Sequence, residues 1–382
     1  MSLKEVYITN TSHFLPNEPV SNDDIEEYLG YINNKPSKSK RLILRNNGIT
    51  KRYYAIDKNG VSTHTNAQMV AQAVRKLFPN PAEGLKTIDL ISCGTSSPDQ
   101  LMPSHGVMVH GELPETGVIE VVSPSGVCCA GMHALKYAYM SVRTGEATQA
   151  VASGSERLSR TMRAEMFDDE AAKLEALEEN PYIGFEKEFL RWMLSDGAGV
   201  VLMSDKPNTD GLSLRIDWLD GVSFAKELDP CMYMGSDKDE NGTLISYKDY
   251  SPEDLIGKSI MSIKQDVKQL GEFVVPLGIT KMREAMEKHG LQSSEIDWFL
   301  PHMSSNFFRS KIFDEINKQN IPIPYEKWFV NLPNVGNVGA ASIYLMMDEL
   351  FHSGQLKKGE KIFLLVPESS RFSYMYGLLT VV

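Results

Sequence analysis

The sequence lacks several features that would place it in a familiar class. Its 382 residues contain no apolar run of about 18 residues, so we expect no transmembrane helix. The first residues have no basic segment followed by an apolar one, and we therefore expect no secretory signal. The formal net charge of −11 argues against nucleic acid as the main partner. An acidic carrier protein remains compatible with a local basic patch.

Cysteine is scarce, with only four in the chain: Cys93, Cys128, Cys129 and Cys231. They form no CxxC pair, and neighbouring cysteines rarely bond each other because the geometry is strained. No cysteines and histidines fall at zinc-ligand spacing, so we expect no metal site. The sequence also lacks the GxSxG elbow of hydrolases and a dinucleotide-binding fingerprint. Reduced thiols in the cytoplasm, with no redox cofactor, are the expectation.

What the chain does contain is an internal repeat. The segments "TIDLISCGTSS" and "EIDWFLPHMSS" each open on an Ile-Asp pair, at Asp89 and Asp297. Their offset of 208 positions maps Cys129 onto Asn337, and each of these is followed by a glycine, a helix-length apolar run and a glycine-containing stop. The chain therefore predicts two related α/β halves, 1–206 and 207–382. Equivalent helix N-termini would then face a shared centre that includes His302.

Three residues at the ends of these elements are candidates for chemistry. Cys129 lies where a strand gives way to a helix, where backbone N–H groups and the helix dipole favour a thiolate. The alternative is a small buried hydrophobic residue, the interpretation we prefer for Cys128. His302 alone is typical of a surface or core position, and Asn337 alone of a helix cap. Together they supply a nucleophile and two neutral hydrogen-bond donors, a set suited to thioester chemistry.

Five motifs carry a resemblance to a known family: "CAGM" at Cys129, "DWFLPH" ending in His302, "GNVGAAS" around Asn337, "LSDGAGVVLMSD" and "SPDQLMPSHG". Over nearly its whole length the sequence resembles thiolase-fold condensing enzymes of the β-ketoacyl-acyl carrier protein synthase III type. The resemblance implies a five-layered αβαβα architecture and a homodimer with residues 102–111 near the interface. It also implies acyl transfer from coenzyme A or carrier-protein thioesters to Cys129, with the Cys129 N–H in an oxyanion hole. His302 and Asn337 would stabilise the enolate of a second thioester, and no cofactor is implied.

The sequence departs from that family around the expected site. In "HMSSN", Ser305 takes the place of the usual asparagine. In "PESSRFSYMYG", Glu368 replaces an apolar aromatic residue, and Ser369, Ser370 and Arg371 replace glycines. We interpret Glu368 as an additional acid/base group beside the triad, with Ser305, Ser370 and Arg371 as auxiliary or substrate-binding residues. The alternative is a structural ion pair between Glu368 and Arg371.

Two further segments differ from the starter enzymes of the family. A basic run, Lys35 through Arg45, is either a solvated loop or a docking patch for a carrier protein. An acidic insertion at about 164–192 predicts a helix and loop that either shapes a substrate tunnel or covers the sheet.

These departures favour a secondary-metabolism branch that joins β-ketoacyl and acyl thioesters and cyclises the product, as dialkylresorcinol- and cyclohexanedione-forming ketosynthases do. Three alternatives stay open. One is a starter synthase of fatty acid synthesis. Another is an enzyme that moves the acyl group to an alcohol or amine, and the third is a catalytically silent partner of another synthase.

Overall fold

Strands and helices alternate along the chain in the computed structural model, which describes residues 3–176 and 185–382. The strands are β1 (Tyr7–Phe14), β2 (Val20–Ser21), β3 (Lys51–Arg52), β4 (Leu90–Thr95), β5 (Glu120–Val122), β6 (Gln149–Glu156), β7 (Gly197–Ser204), β8 (Leu214–Ser223), β9 (Met232–Tyr233), β10 (Ser236–Lys238), β11 (Leu244–Ser246), β12 (Lys264–Gln265), β13 (Trp298–Pro301), β14 (Lys361–Glu368) and β15 (Ser373–Val381). The α-helices are α1 (Ile25–Leu29), α2 (Lys40–Asn47), α3 (Asn66–Lys76), α4 (Pro81–Gly84), α5 (His105–Gly111), α6 (Cys128–Thr144), α7 (Asp168–Ala176), α8 (Phe185–Glu188), α9 (Pro252–Gly257), α10 (Val267–Lys288), α11 (Phe307–Lys318), α12 (Leu332–Val335) and α13 (Ser342–His352). The prediction of an α/β fold is confirmed.

The main sheet repeats one strand pattern on either side of a short joint. Its order is β13-β14-β15-β8-β1-β7-β6-β4-β5, and β1 meets β8 through only two residue pairs. On one side β4 and β6 run parallel, while β6, β7 and β1 are successively antiparallel. On the other side β13 and β14 run parallel, while β14, β15 and β8 are successively antiparallel. The two halves expected from the sequence repeat therefore share one topology.

The residues that revealed the repeat occupy equivalent positions. The Asp89 carboxylate accepts the backbone N–H of Gln149, the first residue of β6, at 2.9 Å. The Asp297 carboxylate accepts the N–H of Lys361, the first residue of β14, also at 2.9 Å. Gly145 and Gly354 follow the ends of α6 and α13 with positive φ of 88° and 73°, a backbone conformation that favours glycine. The matched sequence segments thus reflect matched local structure.

Two helices lie between the halves of the sheet. Helix α6 packs on β4 and β6 of one half and on β14 and β15 of the other, and α13 packs on β1, β7 and β13. Helices α3 and α5 cover the outer face of the first half, and α10 covers that of the second with α11 beside it. This arrangement is the expected succession of five layers, and it brings the N-termini of α6 and α13 to the centre of the molecule. Among the described residues, no helix has the length and apolarity needed to span a membrane.

The basic run and the acidic insertion, which depart from the starter enzymes of the family, are both largely helical. The basic run ends as helix α2, and the Lys40 ammonium pairs with Glu26 at 2.8 Å. The insertion forms α7 and α8 with a 3₁₀ turn at Phe189–Trp192, so the helix expected there is present. Its middle part, 177–184, lies outside the described residues.

Candidate active site

Two cavities meet at the start of α6. The first, which we call the His302 cavity, measures about 40 Å³ and runs between α10 and α11. The second, the Asn337 cavity, measures about 210 Å³. Both are lined by Cys128, Ser304 and Ser369. The structure therefore places His302 and Asn337 on either side of one cysteine-bearing helix terminus, as the repeat predicted.

The two neighbouring cysteines face different surroundings. Cys128 is 8% exposed and contributes to the lining of both cavities. Cys129 is 1% exposed, and its Sγ donates to the carbonyl of Val366 on β14 at 3.4 Å. In this conformation the thiol assigned as nucleophile points to the sheet, while the thiol interpreted as packing lies beside the cavities.

The electrostatics of the thiols differ from the sequence-based expectation. Burial raises the pKa of both Cys128 and Cys129 well above the ordinary thiol value, and the Glu368 carboxylate raises it further. The expectation that the start of α6 lowers the Cys129 pKa is wrong for this conformation. Loss of water and a neighbouring negative charge outweigh the favourable helix terminus. A thiolate at Cys129 is therefore disfavoured in this conformation.

His302 is held as a neutral donor. It follows β13, and its backbone N–H donates to the Leu365 carbonyl at 2.8 Å, which fixes the residue beside β14. Burial lowers the pKa of His302 to about 4. The imidazole is therefore uncharged at neutral pH and can donate one hydrogen bond to a substrate oxygen.

Asn337 is anchored by its backbone and by its side-chain oxygen. Its N–H donates to the Met193 carbonyl at 3.0 Å, and its carbonyl accepts from Ser195 N–H at 2.9 Å. The Oδ1 atom accepts from Gly339 N–H at 3.0 Å. This leaves the Nδ2 amino group as the end of the side chain that can donate to a ligand in the Asn337 cavity.

Glu368, the residue that replaces an aromatic of the family, touches the start of α6 directly. Its Oε2 accepts the backbone N–H groups of Val127 at 2.9 Å and Cys129 at 3.0 Å. Its Oε1 accepts the Ser370 hydroxyl at 2.7 Å. The predicted position of Glu368 beside Cys129 is therefore observed. The Cys129 N–H that the resemblance gave to an oxyanion hole is bound here by a carboxylate.

The other predicted site residues lie further away. Arg371 is exposed, and its Nε donates to the Leu228 carbonyl at 3.1 Å. Among the ion pairs of the described residues none joins Arg371 to Glu368, so the alternative of a structural pair is wrong. Ser305 is buried, and its Oγ accepts from Phe307 N–H at 3.2 Å at the start of α11. Its neighbour Ser304, which we did not single out, is the serine of this segment that lines both cavities.

Glu156 is a further residue that sequence reasoning missed. It ends β6 as Glu368 ends β14, is fully buried and lines the Asn337 cavity. Its carboxylate accepts the hydroxyls of Ser96 and Ser97 and the N–H of Ala340, at 2.7, 2.5 and 3.2 Å. Burial raises the pKa of Glu156 to about 7. The similar strand exits near the two glutamates were the signal that could have identified it.

The two glutamates are exchanged between the halves. Glu156 of the first half binds the N–H of Ala340, in the 3₁₀ turn Gly339–Ala341 that leads into α13 and that we call, together with α13, the α13 segment. Glu368 of the second half binds the start of α6. By this criterion the counterpart of Cys129 is Ala340, three positions beyond the Asn337 that a constant offset selects. The sequence repeat thus identified the right pair of structural elements. Its constant offset, however, paired Cys129 with a residue three positions too early.

A third cavity of about 210 Å³ adjoins the site. We call it the α2 cavity because Leu42, Ile43, Asn46 and Asn47 of that helix line it. It shares Leu270 and Phe308 with the His302 cavity, and Phe189 from the insertion contributes to its wall.

Among the described residues, no group of three or more His, Cys, Asp or Glu side chains is placed to hold a metal ion.

Comparisons with known proteins agree with this architecture. The family described as 3-oxoacyl-[acyl-carrier-protein (ACP)] synthase III, C terminal, matches residues 286–366. The chain is 25% identical over 359 residues to a β-ketoacyl-[acyl-carrier-protein] synthase III of Neisseria gonorrhoeae, covering 94% of this chain and 93% of that protein. Among solved structures, the tetronic acid condensing enzyme AbyA1 superposes with a TM-score of 0.76 at 18% identity, covering 98% of this chain and 99% of the other. A variant of OleA from Xanthomonas campestris, solved with bound lauric acid and lauroyl-CoA, gives 0.72 at 18% identity, with 99% of each chain covered.

The chain has the fold of these thiolase-fold condensing enzymes. In sequence the chain is similar to β-ketoacyl-acyl carrier protein synthase III over most of its length, and it is an acyltransferase of the condensing type.

Proposed function

We propose that the protein joins two thioesters by a Claisen condensation through an acyl group carried on Cys129. The observation that carries the proposal is the meeting of the His302 and Asn337 cavities at the start of α6. A covalent acyl-enzyme and two donors on opposite sides of it are what this reaction needs. A catalytically silent partner has no use for that combination.

In the first half-reaction the Cys129 sulfur attacks the carbonyl of an acyl-coenzyme A or acyl-carrier thioester, and the donor thiol leaves with a proton. In the second half-reaction another thioester either releases carbon dioxide from a malonyl group or gives the α-proton of a β-ketoacyl group to Glu368. The electron pair left behind forms an enolate whose oxygen accepts from His302 and from Asn337 Nδ2. The carbanion then attacks the acyl group and releases the cysteine. Preorganised donors of this kind contribute about 3 kcal/mol each to transition-state stabilisation. The proposed reaction uses the two thioesters as substrates and no cofactor. The free cysteines of the protein fit a cytoplasmic location.

The apolar wall of the His302 cavity supports an aliphatic acyl substrate. Residues of α10 and α11 such as Leu270, Val274 and Ile312 form it. The α2 cavity offers a continuation toward the basic run, where a phosphopantetheine arm on coenzyme A or an acidic carrier could enter. Glu368 beside the cysteines supports the branch that makes lipid-like secondary metabolites and cyclises them. A starter synthase of fatty acid synthesis is the alternative, and it is distinguished by a linear β-ketoacyl product.

We expect His302→Ala and Asn337→Ala each to slow carbon–carbon bond formation by about 10²–10³-fold, because each removes a donor to the enolate oxygen. Acylation of the cysteine should persist, since it makes no enolate. The measurement is a single turnover of preloaded acyl-enzyme, with the condensed product quantified by mass spectrometry. Asn317→Ala is the control, because this exposed amide of α11 lines none of the three cavities and its loss should leave most of the rate. Equal loss in all three variants would contradict the assigned roles.

We further propose a homodimer formed along β5. This strand ends the main sheet, and among the described residues it pairs only with β4. Apolar side chains are exposed on the segments beside it, with Met102 at 85% and Leu101 at 75% exposure and Val118 fully exposed. An unpaired edge with such residues around it is suited to pairing with a second copy.

Light scattering should therefore give twice the mass of the 42.7 kDa chain. The double variant Met102→Lys, Val118→Lys should shift the mass to that of one chain, because it places charge in the contact. Ile256→Lys, at a similarly exposed residue of α9, should leave the dimer intact. A native protein that is monomeric at micromolar concentration would rule out this interface.

A further inference from the structure

A fourth cavity lies outside the site described above. We call it the α13 cleft, because residues of α13 between Leu345 and His352 form one of its walls, together with the end of β1 and the segment of α12. It measures about 630 Å³, a volume typical of small-molecule sites. It shares no lining residue with the His302, Asn337 or α2 cavity. A ligand in this cleft would therefore be separate from the substrates of the cysteine.

The α13 cleft is apolar at one end and polar at the other. Along α13, Leu345, Asp348, Glu349 and His352 are spaced three and four residues apart, so they share one face of the helix. The helix rises by about 10 Å between the first and the last of them. Leu345 packs with Leu15 at the apolar end, and the ionisable side chains lie at the C-terminal end of the helix. A ligand that fills the cleft should therefore have a polar head and an aliphatic chain.

The polar end is organised around the carboxylate of Asp348, whose side chain is 7% exposed. The Nδ1 atoms of His13 and His352 lie 2.5 and 3.2 Å from its two oxygens, and the Thr11 hydroxyl donates to it at 2.7 Å. Burial acts to raise the pKa of Asp348, but the hydrogen bonds from His13 and Thr11 outweigh it and hold the pKa below its usual value. Asp348 is therefore ionised, and it can only accept hydrogen bonds.

This contact fixes the tautomer of both uncharged imidazoles. Because Asp348 only accepts, the proton of each ring must be on Nδ1. The Nδ1 of His352 also lies 3.0 Å from the backbone carbonyl of Asp348, which likewise only accepts. The Nε2 atoms are then hydrogen-bond acceptors, and within the described part of the chain neither has a partner. Since the side chains of His13 and His352 are 46% and 54% exposed, both acceptors are open to a ligand.

The same end of the cleft carries negative charge without a compensating cation. Glu349 is exposed, its Oε2 accepts from Asn331 Nδ2 at 3.0 Å, and it takes part in no ion pair with another described residue. Of the described residues that line the cleft none is a lysine or arginine, and Lys76, which donates to the His13 carbonyl at 3.1 Å, does not line it. The C-terminal end of a helix favours cations, so Asp348 and Glu349 are unfavourable there by themselves. A bound cation would offset this.

We propose that the α13 cleft binds a primary aliphatic amine in its ammonium form. The three N–H donors of an ammonium group match in number the two Nε2 acceptors and the carboxylate of Glu349. The alkyl chain would lie along α13 toward Leu345. Binding makes and breaks no covalent bond. It is also independent of the acyl-cysteine mechanism, because the cleft shares no residue with that site.

The test is isothermal titration of the full-length protein with n-hexylamine at about pH 7.5, where an alkylamine is protonated. Hexan-1-ol and hexanoate have the same chain with an uncharged and an anionic head. We expect hexylamine to saturate one site, with affinity about tenfold or more above that of either analogue. Glu349→Gln should weaken hexylamine binding about tenfold or more, because it removes the charge and keeps an oxygen for Asn331. His352→Phe should also weaken it, because it keeps a ring and removes an acceptor.

Glu287→Gln is the matched control, since this exposed carboxylate of α10 lines none of the four cavities. It should retain the native affinity for hexylamine. Equal affinity of the native protein for hexylamine and hexan-1-ol would overturn the proposal, because the chain alone would then account for binding. Unchanged hexylamine affinity in Glu349→Gln would place the amine elsewhere and overturn it as well. The absence of saturable hexylamine binding up to about 10 mM would have the same consequence.

Discussion

Replacing Cys129 with alanine is expected to abolish the mass gain that the native enzyme shows after incubation with acyl thioesters. The variant lacks the sulfur that forms the acyl-enzyme, and no hydroxyl or amine replaces it. The measurement is intact-protein mass with a panel of acyl, β-ketoacyl and malonyl thioesters, followed by mapping of the acylated peptide. Because Cys129 is a small buried residue, thermal unfolding of the variant should remain close to native, which separates loss of chemistry from loss of fold.

Cys128→Ala is the matched control and should retain most of the acylation. The test is demanding because Cys128, not Cys129, lines the two cavities in this conformation. For Cys129 to react, its sulfur has to leave the Val366 carbonyl and its N–H has to leave Glu368. An adduct that survives in Cys129→Ala and disappears in Cys128→Ala would move the nucleophile by one residue. No adduct in the native protein would favour a silent partner subunit.

The overall fold was predictable from the sequence because its evidence is local and repeated. The Ile-Asp pairs at Asp89 and Asp297 mark the starts of equivalent strands, since each carboxylate binds the backbone of the neighbouring parallel strand. Gly145 and Gly354 end equivalent helices because each adopts a left-handed conformation. Such signals need only a few neighbouring residues, so they can be interpreted without knowing the tertiary structure.

The site was predictable in its residues but not in its contacts. His302 and Asn337 lie at the ends of repeated elements, and the repeat was enough to bring them to the cysteines. The contact of Glu368 with Cys129 joins positions 239 residues apart, and nothing local in either segment indicates it. The raised thiol pKa depends on the same contact and on burial, so helix position alone gave the wrong direction. The exchange of glutamates between halves likewise appears only when both strands are in place.

Gly131→Ala is expected to destabilise the fold strongly, because the glycine lies against backbone close to the site. A Cβ on Gly131 would lie 2.3 Å from the carbonyl oxygen of Ala340 and 3.0 Å from the Tyr344 ring. Overpacking against backbone in a buried contact costs about 3 kcal/mol or more. Since this contact joins α6 to the α13 segment, the variant should also lose acylation. Thermal or denaturant unfolding, with acyl loading measured on the folded fraction, provides the measurement.

The Ala340 carbonyl cannot relieve this clash by moving away, because a second glycine confines it from another side. A Cβ on Gly154 of β6 would lie 2.0 Å from the same oxygen, so β6 already approaches it closely. The matched control is Gly271→Ala in α10, where an added Cβ meets no heavy atom within 4 Å. That variant should be stabilised by about 0.4–1 kcal/mol, because alanine restricts the unfolded chain. Equal stability of the two variants would show that α6 and the α13 segment can separate at little cost. The start of α6 would then be free to move on its own, and release of Cys129 from Glu368 would need no help from the substrate.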